Sequence, residues 1–296
     1  MTHHDYRTTD VPVAGGDLRV AVWEPPGEVQ HTVLAIHGVT SSHLAWPFVV
    51  QQLPGVRVIA PDLRGRGASN TLPGPAGMAA HADDLAAVLD AFDVDVVSVV
   101  GHSMGAFVAV VLAHRYPQRV SRLVLVDGGL PLNVPAGVDP EQLVPLILGP
   151  VAERLSRRWP DVEAYTEEFW RRHPAFADDW SAELDAYIAY DLVPDGDVLR
   201  AATSSDIMAD DVIDMNTGSA LPDALAALSV PTLFITVPRG LQNETPGLYA
   251  PAHLADLLQR YPAVDHVHLD DLNHYTVVMS PRGAIALAHL VRPVLV

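Results

Sequence analysis

The chain of 296 residues is long enough for one large domain or two, and its 49% apolar content allows a sizeable core and argues against disorder. It has no cysteine, and all eighteen of its basic residues are arginine, so disulfides, thiolate metal ligands, a cysteine nucleophile and lysine Schiff-base chemistry are excluded. A net charge of −18 disfavours nucleic acid and anionic membrane as partners, because both demand basic surface.

The N-terminus, Met1-Thr2-His3-His4-Asp5-Tyr6-Arg7, lacks the apolar core of a signal peptide, and no apolar run approaches the roughly 18 residues of a membrane span. A cytoplasmic location is therefore expected. Residues 18–23 alternate as a strand after the turn Gly15-Gly16, with residues 8–13 as a hairpin partner. Residues 31–36 form a second apolar run, ending at His37-Gly38-Val39. Ser42 is placed to cap a helix running through Leu44, Trp46, Phe48 and Val49 to Leu53. A strand over 56–60 leads into Pro61-Asp62-Leu63-Arg64-Gly65-Arg66-Gly67-Ala68-Ser69, and residues 78–92 carry apolar side chains at helical spacing.

The next stretch carries the chemistry. Val96-Val97-Ser98-Val99-Val100 runs into Gly101-His102-Ser103-Met104-Gly105, and residues 106–116 read as a helix closed by Pro117. Strand, sharp turn and helix are the context in which Gly-x-Ser-x-Gly is a nucleophile elbow, with the serine hydroxyl exposed on a strained turn. A strand over 120–126 follows, ending in Asp127-Gly128-Gly129. Strands alternating with helices imply a mostly parallel sheet covered on both faces, with reactive groups at the carboxyl ends of the strands. Ser103, Asp127 and the turn after His37 all fall there.

The alternation breaks between 131 and 216. Short helices are predicted over 150–159, 161–172, 181–191 and 197–204, with eight aromatic residues from Trp159 to Tyr190. Eighteen acids and six arginines lie between 131 and 222, so most of the negative charge sits here. The pattern then resumes with a helix over 222–228, a strand over 231–237, a helix over 251–261, a strand over 265–269 and a helix over 281–291. The expected organisation is a core of residues 1–130 and 217–296, with 131–216 inserted as a helical cap over the site. The aromatic residues read as packing groups before ligand contacts, and acidic charge facing a cleft would repel anionic substrates.

Taken together, His37-Gly38, the turn from Pro61 to Ser69, Gly101-His102-Ser103-Met104-Gly105, the strand ending at Asp127 and a late Asn273-His274 resemble, in kind and order, the α/β-hydrolase superfamily. The resemblance covers nearly the whole chain. It implies an α/β-hydrolase fold, a mostly parallel eight-stranded sheet flanked by helices, with a cap inserted after the sixth strand. It also implies roles. Ser103 is the expected nucleophile, and His274, in the loop after the last strand, is the expected base. His102 neighbours Ser103 but points away within the elbow, and His37 is expected to be structural. The third member departs from the common pattern. Counting from Pro231 to the usual acid position reaches Gly240, so the acid is expected at Asp127, as in some relatives, with Glu244 as the alternative. The oxyanion donors implied are the backbone N–H groups of Val39 and Met104, with Gly38, Thr40, Ser41, Trp46 and His102 around the substrate, and with the core as the alternative place for Trp46.

His266-Val267-His268-Leu269-Asp270-Asp271 is similar to a metallo-hydrolase ligand run, but its last histidine is replaced by Asp271, and a strand with both histidines on one face is the better account. Arg64 and Arg66 could form an anion site, though in this superfamily the turn is structural. No cofactor and no metal are expected. The function implied is hydrolysis of a carboxylic ester or lactone of a neutral, fairly apolar small molecule. A non-hydrolytic small-molecule receptor stays open, as do acyl transfer, cofactor-free perhydrolysis and carbon–carbon bond hydrolysis on the same residues. The sequence leaves the oligomeric state, including a homo-oligomer, undetermined.

Overall fold

In the computed structural model, which describes residues 4–135 and 137–295, the chain opens with a hairpin. Strands β1 (Asp5–Val13) and β2 (Gly16–Glu24) pair antiparallel across the glycine turn, as the alternation of 18–23 predicts. Met1, Thr2 and His3, the start of the N-terminal stretch read above, lie outside the described residues.

The central strands follow as β3 (His31–Ile36), β4 (Val56–Pro61), β5 (Val97–His102) and β6 (Val120–Val126). After the insertion, which holds the short strands β7 (Leu192–Asp195) and β8 (Val198–Ala201), come β9 (Thr232–Thr236) and β10 (Val264–His268). The eight-stranded sheet has the order β1-β2-β4-β3-β5-β6-β9-β10, parallel from β4 onward. Helices cover both faces, which accounts for strands apolar on both sides. Along β3, Leu34 and Ile36 enter one buried cluster with the helices Met78–Ala91 and Met104–Arg115, while Val33 and Ala35 enter another with the helix Pro281–Val291. The side-chain period of two thus divides each strand between two cores.

Three expectations need correction. Residues 42–53 do not form one helix: Ser42 caps a 3₁₀ turn, His43–Ala45, and a separate helix spans Pro47–Gln51. Proline at the first helical position starts this second element, because its missing N–H costs nothing there. Residues 197–204 are not helical. They belong to the hairpin of β7 and β8, whose two-residue turn is Gly196-Asp197 with Gly196 at φ +66°. Glycine followed by aspartate between extended runs is a hairpin signal, and it prevails over the helix-favouring Leu199, Arg200 and Ala201. The helices Pro140–Leu148 and Ser205–Thr217 add to those predicted within the insertion. Finally, Trp46 does not line the cleft. It is 1% exposed and packs in the core with Phe48 and Val49, because it sits between the two helical turns facing the sheet.

Candidate active site

Sharp geometry at the end of β5 presents Ser103. It stands at φ 54°, ψ −125°, immediately before the helix Met104–Arg115, a strained backbone that persists only where the surroundings hold it. The motif glycines make the turn possible by close approach. A Cβ at Gly101 would lie 2.4 Å from the Gly105 carbonyl oxygen, and one at Gly105 would lie 2.1 Å from that of Ile36. Neither contact is tolerable for a real side chain, so helix and strand meet only through glycine.

On the neighbouring strand tip, Asp127 is also left-handed, at φ 45°, and fully buried. Its N–H donates to the Ile235 carbonyl at 2.7 Å, which ties the tip of β6 to β9. Its Oδ2 lies 2.7 Å from Nδ1 of His274, which is 3% exposed. The Nδ1–H therefore donates to the carboxylate, and Nε2 is left with its lone pair. Glu244, by contrast, is exposed, and its Oε2 accepts the Gln242 N–H at 2.6 Å, so it closes its own loop. The structure brings Asp127 to His274.

Two contacts hold the His274 backbone. Its N–H donates to the Arg239 carbonyl at 2.9 Å, and its carbonyl accepts Nε2–H of His102 at 2.8 Å. Burial pushes the His102 imidazole well below its ordinary pKa, so it is neutral and its free proton is the one given to that carbonyl. Asn273 fastens the same loop, accepting the N–H groups of Tyr275 and Thr276 and donating to the Ala175 carbonyl at 2.9 Å. The bracing role of His102 and the contact with Ala175 in the insertion escape sequence reasoning; only the neighbourhood of His102 and Ser103 hinted at the first.

The loop after β3 is organised by His37. Leu63 N–H donates to Nε2 of His37 at 3.0 Å, which leaves Nδ1–H to donate to the Gly38 carbonyl at 2.8 Å. Burial lowers the His37 pKa to about 4, in keeping with the neutral ring these partners require. Because the peptide is planar and trans, fixing the Gly38 carbonyl points the Val39 N–H the opposite way. The Met104 N–H opens a helix and has no partner within it. Val39, Ser103, Met104 and His274 line one space together.

Two small spaces, each of about 20 Å³, meet at Ser103, Val39, Leu241 and His274. One is lined further by Gly38, Thr40, Ser41, His102, Tyr187 and Tyr275, the other by Phe107, Leu132, Ile147, Leu148, Met215 and Leu248. The first carries hydroxyls and an imidazole, and the second is wholly apolar away from the reacting groups. Neither has an acidic residue among its described lining residues. Arg64 and Arg66 form no open anion site: both are buried, Arg64 against Asp84 and Arg66 against Asp211. His266 and His268 both meet Oγ1 of Thr236, at 2.9 Å each, and no group of three or more potential metal ligands occurs among the described residues. No helix among them is long and apolar enough to cross a membrane.

An elbow serine, a histidine on a buried carboxylate and a parallel sheet of this order define a class, and the chain belongs to it: residues 31–180 match the model of the α/β-hydrolase fold family. Among curated proteins, it is 35% identical over 185 residues to lipase LipV of Mycobacterium tuberculosis, a match covering 59% of this chain and 70% of that one. It is 34% identical over 113 residues to 2-hydroxy-6-oxo-2,4-heptadienoate hydrolase of Pseudomonas putida, covering 36% and 41%. Among solved structures, E-2-(acetamidomethylene)succinate hydrolase matches with a TM-score of 0.76 and 21% identity, over 97% of this chain and all of the other. A thermophilic esterase from Thermogutta terrifontis matches with a TM-score of 0.67 and 24% identity, over 98% and 100%. At that identity the structural matches speak for the fold alone.

Proposed function

We propose that this protein is a serine hydrolase that cleaves a carboxylic ester or lactone of a neutral, fairly apolar small molecule. The observation that carries the reading is the 2.7 Å contact between His274 Nδ1 and the buried Asp127 carboxylate, in a site where His274 and Ser103 line the same two spaces. The 35% identity to a lipase supports the ester as the bond cleaved.

In the proposed reaction, Nε2 of His274 takes the Ser103 proton as the serine oxygen attacks the carbonyl carbon. Charge builds on the carbonyl oxygen, and the N–H groups of Val39 and Met104 receive it. The imidazolium then gives its proton to the departing alcohol oxygen, leaving Ser103 acylated. Water, deprotonated by the same Nε2, attacks the acyl-enzyme, and the proton returns to Ser103 as the acid departs. Asp127 holds His274 with Nδ1 protonated and stabilises the transient positive charge. The acyl group is assigned to the apolar side and the alcohol to the hydroxyl-lined side, with the walls parting to admit them. With no acid lining either, their walls suit a neutral substrate.

The test is a panel of p-nitrophenyl esters from acetyl to octanoyl, with γ- and δ-lactones, for the wild type and Ser103→Ala. Hydrolysis that disappears in the variant is expected. A folded wild type that hydrolyses none of them would overturn the proposal and favour the receptor reading.

A further inference from the structure

Successive carbonyls of the loop after β3 are each held by a different donor. The Gly38 oxygen takes His37 Nδ1–H at 2.8 Å and the Ser41 N–H at 3.3 Å. The Val39 oxygen takes Nε–H of Arg66 at 2.8 Å, and the Thr40 oxygen takes Nη2–H of Arg154 at 3.3 Å. Arg66 also sets Nη2 against the sulfur of Met104 at 3.8 Å, so one guanidinium touches both residues whose N–H groups face the reacting oxygen in the proposed mechanism.

Both arginines are buried, at 0% and 1% exposure, and both pair with carboxylates of the segment inserted between β6 and β9, to which Arg154 itself belongs. Arg66 pairs with Asp211 of the helix Ser205–Thr217, and Arg154 pairs with Asp191, just after the helix Ala182–Tyr190. The carboxylates are themselves fixed. Asp211 accepts the Gly77 N–H at 2.6 Å and Nε2–H of His81 at 3.0 Å, and Asp191 accepts the hydroxyl of Tyr165. Buried ion pairs are weak evidence for stability, since apolar replacements of the pair are often as stable. Two unrelated pairs converging on adjacent carbonyls of one loop therefore call for a reason other than stability.

We infer that Arg66 and Arg154 are positioning residues of the oxyanion site, through which the inserted segment holds the loop that carries the Val39 N–H and so sets the rate of the chemical step. The inference rests on the serine-hydrolase reading. The segment is then more than a roof over the substrate: lifting it withdraws Asp211 from Arg66, carries Arg154 with its partner Asp191 away from the Thr40 carbonyl, and lets the loop relax. A substrate that seats the segment switches on its own transition-state stabilisation.

Two variants test this. Arg154→Lys keeps a cation for Asp191 but lacks the second nitrogen that reaches Thr40. The paired Arg154→Met/Asp191→Asn variant removes both charges and leaves Tyr165 a partner, which guards against an unfolded single variant. For each, kcat and KM on p-nitrophenyl butyrate are measured together with Ki for n-butylboronic acid, which becomes tetrahedral on the serine. Removing an oxyanion donor outright costs about 10²–10³ in kcat, so misaligning one is expected to cost about 10- to 100-fold. The expected result is that loss in kcat, a matching rise in the boronate Ki, and a KM within about twofold of wild type. Unchanged kcat and Ki, or an effect confined to KM, would overturn the inference. Wild-type turnover and phosphonate labelling of Ser103 separate the two failures. If both are present and the variants match the wild type, the inference alone falls; if both are absent, it falls with the mechanism it rests on.

Discussion

Asp127→Asn isolates the assignment that departs from the common pattern of the superfamily. At 2.7 Å, with an effective dielectric of about 20, a carboxylate and an imidazolium attract by about 6 kcal/mol, an upper figure because asparagine still accepts a hydrogen bond. Asparagine can also turn its amide toward Nδ1, which places the imidazole proton on Nε2 and disables the base. Together these predict a loss of about 10³- to 10⁴-fold in kcat/KM, in line with triad acids elsewhere. The assay is initial-rate hydrolysis of p-nitrophenyl butyrate, with Glu244→Gln in parallel. Glu244 is exposed and bonded to Gln242 N–H, so its variant is expected to stay within about twofold of wild type. Asp127→Asn within tenfold of wild type, or an equal loss in Glu244→Gln, would refute the reasoning.

Other consequences follow from the same structure. Ile147→Phe narrows the apolar space, so KM for octanoyl esters is expected to rise about tenfold or more while acetyl esters change within about twofold, in a chain-length series. Gly105→Ala places a Cβ 2.1 Å from the Ile36 carbonyl oxygen, and urea unfolding is expected to show a loss of about 3 kcal/mol or more. Burial holds His37 at about 4 when folded, against about 6.5 unfolded, so between these values the unfolded chain binds the extra proton. That contribution, about 3 kcal/mol, is full above pH ~6.5 and lost as the pH falls toward 4, a decline that denaturant titrations at several pH values measure. Stability that stays level across this window would contradict a buried neutral His37.

Much of the core was legible because its signals are local. The elbow needs only ten residues, from Val96 to Gly105, and the apolar run Leu123 to Val126 carries Asp127 to the carboxyl end of its strand. The insertion was less legible. Gly196-Asp197 turns a hairpin where the helix propensity of Leu199 to Ala201 pointed the other way, and Trp46 stayed open between cleft and core because an aromatic in either place looks alike in sequence. The arginine contacts lay beyond sequence reasoning altogether. Arg66 meets Asp211 across 145 positions, and Arg154 meets Thr40 across 114, so neither leaves a periodic or spaced pattern.

Everything in the proposed mechanism passes through the hydroxyl of Ser103. The most direct test is reaction with a fluorophosphonate followed by peptide mass mapping of the adduct. One phosphonyl group is expected on the peptide bearing Ser103, with labelling abolished in Ser103→Ala and slowed in Asp127→Asn. Undiminished labelling of Ser103→Ala, or an adduct on another residue, would contradict the account.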